Sequence, residues 1–189
     1  MKLVQLATAF LLAVAGYGSA QAQSNEDFLT IQLKDGPVVI QLMPDVAPKH
    51  VAQIKDLAAK GEYDNVAFHR VIEGFMAQTG DVQFGDMENG FEPGRAGTGG
   101  SSLPDIEAEF SSVPFERGTV GMARSQDPNS ANSQFFIMFA DGGFLNGQYT
   151  VVGKVVSGME YVDKIKRGEG GNGEVTDPDR MVKVTVGRN

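Results

Sequence analysis

The chain has 189 residues, no cysteine, 24 glycines and a formal net charge of −8. That length suits one domain with a sizeable core, and the missing cysteines exclude disulfides, thiol nucleophiles and thiolate metal sites. The acidic balance lacks the basic footprint of a nucleic-acid binder, and the glycine content favours a turn-rich β chain over a helical bundle.

Met1–Ala22 reads as a cleavable export signal. Lys2 precedes an apolar run over Leu3–Ala15, interrupted by Gln5 and Thr8, and Ala20-Gln21-Ala22 forms a small-x-small cleavage site. The uninterrupted apolar part is short for a bilayer span, so no stable membrane span is expected after cleavage. Residues 23–189 are then the functional domain, with Gln23–Asp27 as a polar lead-in.

Phe28–Leu33 and Val38–Leu42 are β-rich and joined by Lys34-Asp35-Gly36-Pro37, which predicts a hairpin. Pro48 suits a first helical turn, Val51, Ile54, Leu57 and Ala58 share one helical face, and Gly61 is the natural stop. A long glycine-rich loop covers Val82–Ser102. Strands are predicted at Ile106–Phe110, Thr119–Ala123, Gln134–Phe139, Thr150–Val156 and Met181–Val186, with a short helix around Met159, Val162 and Ile165. Many short strands with two helices predict a closed antiparallel barrel.

Several chemistries can be weighed from residue types. Zinc catalysis needs three or four ligands together, and His50 and His69 bring no partnered carboxylate motif, so neither metal nor cofactor is expected. No G-x-S-x-G elbow marks a serine hydrolase. Gly97-Thr98-Gly99-Gly100 could suggest a phosphate cradle but lacks the following lysine. In Phe68–Asp81 (FHRVIEGFMAQTGD), Arg70 and Gln78 stand beside Phe75 and Met76. That stretch is either a core strand with Arg70 at its solvent end, or the floor of a site for an apolar group with a polar edge.

This stretch resembles the signature of the cyclophilin family of peptidyl-prolyl isomerases. Ser133–Phe136 (SQFF), Phe144-Leu145 and Gly153-Lys154-Val155 follow in family order, so the similarity runs from about Phe28 to Val186. The resemblance implies a mostly β fold, an eight-stranded antiparallel barrel with a helix at each end, and isomerisation of Xaa-Pro bonds. It also implies roles. Arg70 would donate to the prolyl nitrogen and Gln78 would orient it. Phe75, Met76, Phe136 and Leu145 would wall a proline pocket, for which plain core is the alternative reading. Ala123 and Arg124 would pair with the peptide backbone, and Gln134 would contact the residue before proline. The GTGG loop would lie beside the groove, and Asp81 would be a turn residue.

Phe144 and Tyr149 stand where many animal members have Trp and His, and Arg124 where they have Asn. Phe144 and Tyr149 resemble bacterial members, for which only weak cyclosporin binding is expected. The expectation is an exported, periplasmic, monomeric isomerase acting on proline-containing and unfolded exported polypeptides. A non-catalytic peptide-binding module and a small-ligand barrel are the rival readings.

Overall fold

The computed structural model describes residues 27–188. The proposed export signal lies outside the described residues. Ten strands and two helices follow in order. The strands are β1 (Phe28–Leu33), β2 (Gly36–Leu42), β3 (Val66–Ala67), β4 (Arg70–Ile72), β5 (Met76–Thr79), β6 (Thr119–Met122), β7 (Phe135–Met138), β8 (Val151–Ser157), β9 (Arg180–Met181) and β10 (Lys183–Val186). Helix α1 (Pro48–Ala59) follows β2, and the one-turn α2 (Met159–Val162) follows β8.

Eight strands form one curled antiparallel sheet in the order β10-β1-β2-β8-β6-β7-β5-β4. The expected barrel is therefore present, but "closed" overstates it, because the end strands β10 and β4 do not pair with each other. The chain stitches the gap in two ways. The β3–β9 ribbon pairs the segments that lead into the two end strands. The free edge of β4 is covered by the 168–175 loop, through Val71 N–H to Gly173 O (2.7 Å) and Gly168 N–H to Val71 O (2.9 Å). Both devices satisfy edge groups that would otherwise be open to another chain.

Alternation along the strands sets the two faces. Leu29 and Ile31 on β1, Val38, Ile40 and Leu42 on β2, Val71, Ala77, Val120, Ile137 and Val152 point inward and fill the interior. Val51, Ile54, Leu57 and Ala58 of α1 join the same core. Burying each of these larger aliphatic side chains is worth about 1.5–3 kcal/mol. Gly61, just past the helix, takes the left-handed φ of +75°. The interior is thus occupied by side chains, and the residues one step out of phase face the opposite side of the sheet. There Met76, Phe115, Phe136, Met138, Leu145 and Val151 make a second apolar cluster.

Four local expectations change. Gly36 and Pro37 belong to β2, leaving Lys34-Asp35 as the turn. Ile106–Phe110 is not a strand; it makes a single bridge, Ile106 to Ala131. The predicted closing strand is divided at Val182, where the chain leaves β3 and joins β1, with Val182 N–H donating to Gln32 O at 2.8 Å. His50 does have a carboxylate partner. Glu109 reaches in from the loop, its Oε2 2.6 Å from His50 Nδ1, and its two oxygens accept the backbone N–H groups of Lys49 and His50. Ala47 at the helix N-cap offers no side-chain cap, so Glu109 supplies the missing acceptor.

Candidate active site

The strand register lines up Arg70 on β4, Gln78 on β5, Phe136 on β7 and Gly121 on β6 in one row across the outer face. Ile72, Met76 and Met138 form the next row. Period-two geometry therefore sets a cation and an amide beside apolar side chains. Phe75 sits in the turn before β5, which is why its spacing to Met76 and Gln78 fits neither face alone.

These rows floor a groove of about 390 Å³ lined by Arg70, Phe75, Met76, Gln78, Ala123, Arg124, Phe136, Phe144, Leu145, Gln148 and Tyr149. Ten of the eleven residues expected from the sequence thus meet here, and Gln148 is an addition. Gln134, the eleventh, lines an adjoining hollow of about 370 Å³ with Gly97, Thr98, Gly99, Ser125, Ser130, Asn132 and Ser133. Gln78, Ala123 and Arg124 line both, forming the saddle between an apolar and a polar compartment.

The apolar compartment is built from below. The Phe136 ring stacks on Phe115 (centroids 5.8 Å apart) and meets the edge of Tyr149 (6.0 Å). Gly121 makes room for this stack: a Cβ there would lie 2.5 Å from Phe115 and 2.6 Å from Phe136. A one-turn 3₁₀ helix, Gly143–Leu145, splits two neighbours. Leu145 turns into the groove wall and is buried, while Phe144 is 66% exposed and rests on Phe75, with ring centroids 5.5 Å apart.

Arg70 is held at two points. Its Nε donates to Asn172 O (2.9 Å) and its Nη1 to Gln78 Oε1 (3.1 Å). Gln78 Nε2 donates to Gln134 Oε1 (3.0 Å), and Gln134 Nε2 to Gly99 O (2.8 Å). Gly99 N–H in turn donates to Asp81 Oδ2 (2.9 Å), which also accepts Gly97 N–H (2.7 Å). Asp81 Oδ1 takes the N–H groups of Gln83 and Phe84 at 3.1 and 2.9 Å. Asp81 is thus a buried anchor of the GTGG loop as well as a turn residue. One continuous chain of bonds joins it to Arg70. The motif displayed this aspartate, but its partners lie 16 and 18 residues away.

Partial burial lowers the pKa of Arg70, against a pull upward from Tyr149. A guanidinium remains charged through the working range all the same. Burial likewise pushes His69 below its ordinary value; Asp81 opposes this and Arg70 reinforces it. His69 is buried. It packs against Gly97, where a Cβ would come within 2.9 Å of the ring. It therefore supports the loop from behind Arg70. Among the described residues no group of three or more His, Asp or Glu side chains could hold a metal ion, and no helix is long and apolar enough to cross a membrane.

Comparison with known proteins agrees with this geometry. Residues 28–186 match the family described as cyclophilin type peptidyl-prolyl cis-trans isomerase/CLD. A probable peptidyl-prolyl cis-trans isomerase of Brucella suis is 64% identical over 182 residues, covering 95% of this chain and 93% of the relative. Peptidyl-prolyl cis-trans isomerase B of Escherichia coli is 40% identical over 146 residues, covering 73% of this chain and 83% of the relative. Among solved structures, a cyclophilin from Hirschia baltica superposes with a TM-score of 0.73 at 26% identity, over 86% of this chain and 74% of that one. A cyclophilin type isomerase from Cryptosporidium parvum, solved in the presence of the dipeptide Ala-Pro, gives 0.73 at 27% identity, over 86% and 99%. With the family match spanning the whole described sheet and its outer groove, the chain belongs to the cyclophilin-type peptidyl-prolyl cis-trans isomerases.

Proposed function

We propose that this isomerase acts on Xaa-Pro bonds of exported polypeptides, with Arg70 as the electrostatic catalyst and the apolar groove as the proline site. The observation that carries the proposal is Arg70 fixed by Gln78 and Asn172 at the rim of that groove.

Rotation about an Xaa-Pro bond must break amide resonance, with a barrier of ~18–20 kcal/mol. In the twisted state the prolyl nitrogen becomes pyramidal and gains a lone pair. A donor aimed at that nitrogen stabilises the twisted state more than either planar state, which is the condition for catalysis. A guanidinium carries five N–H donors, and two of those of Arg70 are used to hold it in place. The others are available to a substrate, at no cost of reorganisation when the bond twists. Phe75, Met76, Phe136 and Leu145 grip the ring while the preceding carbonyl swings. Ala123 offers backbone to the peptide in the manner of a strand edge, and Gln134 faces the residue before proline.

No nucleophile and no proton transfer enters this mechanism. Exchange spectroscopy on a Xaa-Pro peptide tests it: substoichiometric protein should shorten the cis/trans exchange time far below the uncatalysed value of roughly 10–100 s. Unchanged exchange would overturn it. The export reading rests on the apolar run ended by Ala20-Gln21-Ala22. Protein from the envelope fraction should begin at Gln23, and a full-length chain in the cytosol would refute export. In the periplasm the activity would assist folding of newly exported chains.

A further inference from the structure

We infer that Arg124 makes the groove selective for peptides carrying a carboxylate side chain close to the proline. The inference deepens the isomerase reading of this groove and rests on it.

The chain as a whole is acidic, with a formal charge of −8. The groove is the opposite. Among the described residues no carboxylate lines either compartment, yet Arg70 lines the apolar one and Arg124 lines both. Elsewhere among the described residues Arg95, Arg117, Arg167 and Arg180 each pair with an acid: Glu92, Asp163, Glu73 and Glu88. Among the described residues, no carboxylate lies within ion-pair distance of Arg70 or Arg124.

Arg124 is also fixed in place. Its Nη1 donates to Ser125 O (2.8 Å) and Gln126 O (3.4 Å), and its Nη2 to Gln148 O (2.9 Å). Its guanidinium lies 4.4 Å from the centre of the Tyr149 ring. Neutral carbonyls and a ring face orient the cation and leave its charge uncompensated, and the buried Nε has no partner. The cation therefore stands at the saddle, with the polar hollow of Gly97, Thr98, Ser125, Ser130 and Asn132 open beside it. A peptide side chain entering that hollow meets hydroxyls and amides beside the Arg124 cation, while the nearby acids Asp105 and Asp127 are bonded behind Asn132 and within the 125–130 turn and do not line it. An acidic residue is the side chain the cation favours, and a lysine the one it opposes.

The far side of Arg70 differs. A third hollow there, lined by His69, Asn172 and Gly97 among others, includes Glu174. Selectivity for acid is thus confined to the flank of the peptide that crosses the Arg124 saddle. The opposing charge is partly screened, so the preference is moderate: about three- to tenfold in catalytic efficiency between an acidic residue and its neutral isostere at low salt.

The test is exchange spectroscopy with peptides bearing Glu, Gln or Lys at the second residue on either side of one Xaa-Pro bond. On one flank the order of catalytic efficiency should be Glu, then Gln, then Lys. The Glu/Gln ratio should fall toward one in about 1 M salt, where the Debye length is ~3 Å. Arg124→Lys should keep most of that ratio and Arg124→Gln should erase it, whatever each does to the absolute rate. Equal rates for Glu and Gln on both flanks would overturn the inference. So would a ratio that survives high salt, a readout that needs no variant to fold. If the Gln peptides themselves are not accelerated, the isomerase reading fails as well, so the two failures are told apart.

Discussion

Replacing Asp81 with asparagine tests whether the position of Arg70 depends on a buried carboxylate. The two oxygens of Asp81 accept four backbone N–H groups, from Gln83, Phe84, Gly97 and Gly99, at 2.7–3.1 Å, in a residue with no exposed surface. Asparagine keeps one oxygen for two of these donors and turns an amide NH2 toward the other two. Each buried bond to a charged group is worth about 1.5–3 kcal/mol, so the loss of two predicts a destabilisation of about 3–6 kcal/mol. With a urea m-value of about 2 kcal/mol/M, the unfolding midpoint should drop by about 1.5–3 M. Asp86→Asn is the contrast, because the Asp86 carboxylate accepts only from nearby Glu88 and Asn89, in bonds open to solvent; it should cost at most about 1 kcal/mol. Below the unfolding range, Asp81→Asn should also lower the rate of peptide isomerisation. The Gly97–Gly99 loop fixes Gln134, which fixes Gln78, which fixes Arg70. A midpoint within about 0.25 M of the unaltered protein would refute the four-bond account. Full activity despite the lost stability would refute the relay.

Three further predictions follow from other parts of the fold. Partial burial raises the pKa of Glu109, but the bonds from His50 and from the helix N–H groups outweigh it and hold the carboxyl below its ordinary value. Its contribution of about 1–2 kcal/mol is therefore present above pH ~4.3 and lost as pH falls through the lower folded value. The difference in melting temperature between the unaltered protein and Glu109→Gln should accordingly be clear at pH 7 and shrink near pH 3; a constant difference would contradict it. Gly121→Ala places a Cβ within 2.6 Å of both stacked rings, so it should cost about 1–3 kcal/mol and several degrees of melting temperature while displacing Phe136. An unchanged melting point with full activity would show that the stack is free to shift. Phe144→Trp enlarges the exposed ring that rests on Phe75 and adds an N–H donor. Titration calorimetry should show cyclosporin binding tighten roughly ten- to a hundredfold, and tight binding before the change would show that Phe144 is not the limiting contact.

The groove was legible where a local motif coincides with the strand register. Arg70, Gln78 and Phe136 stand in motifs, and the register places them in one row. Partners far apart in sequence were not legible. Glu109 looked like part of an alternating strand, Ile106–Phe110, because Ile106, Ala108 and Phe110 repeat every second residue. In the fold that backbone makes one bridge, its glutamate caps a helix 59 residues away, and Phe110 is left partly exposed. Asp81 was visible as a turn residue, but not as the acceptor for amides in the glycine loop. The resemblance places Arg124 against the peptide's main chain, and nothing local shows that its Nη1 and Nη2 groups donate to Ser125, Gln126 and Gln148. The barrel was legible as an architecture. Its stitched seam depends on pairing between β3 and β9, two residues each, which is too short to show in a periodicity.

Kinetics and binding measured on the same folded Arg70→Ala protein test the central claim most directly. If Arg70 acts mainly on the twisted state, the isomerisation rate should fall about 10²–10³-fold, the cost of losing one preorganised donor, and Arg70→Lys should recover little. Because a guanidinium stays charged through the working range even when burial lowers its pKa, the unaltered enzyme's rate should stay nearly flat from about pH 6 to 9. Peptide affinity should fall far less than the rate, since Phe75, Met76, Phe136 and Leu145 still line the groove. A folded variant that keeps more than about a third of the activity, or that loses affinity in step with rate, would make Arg70 a binding residue and contradict the mechanism.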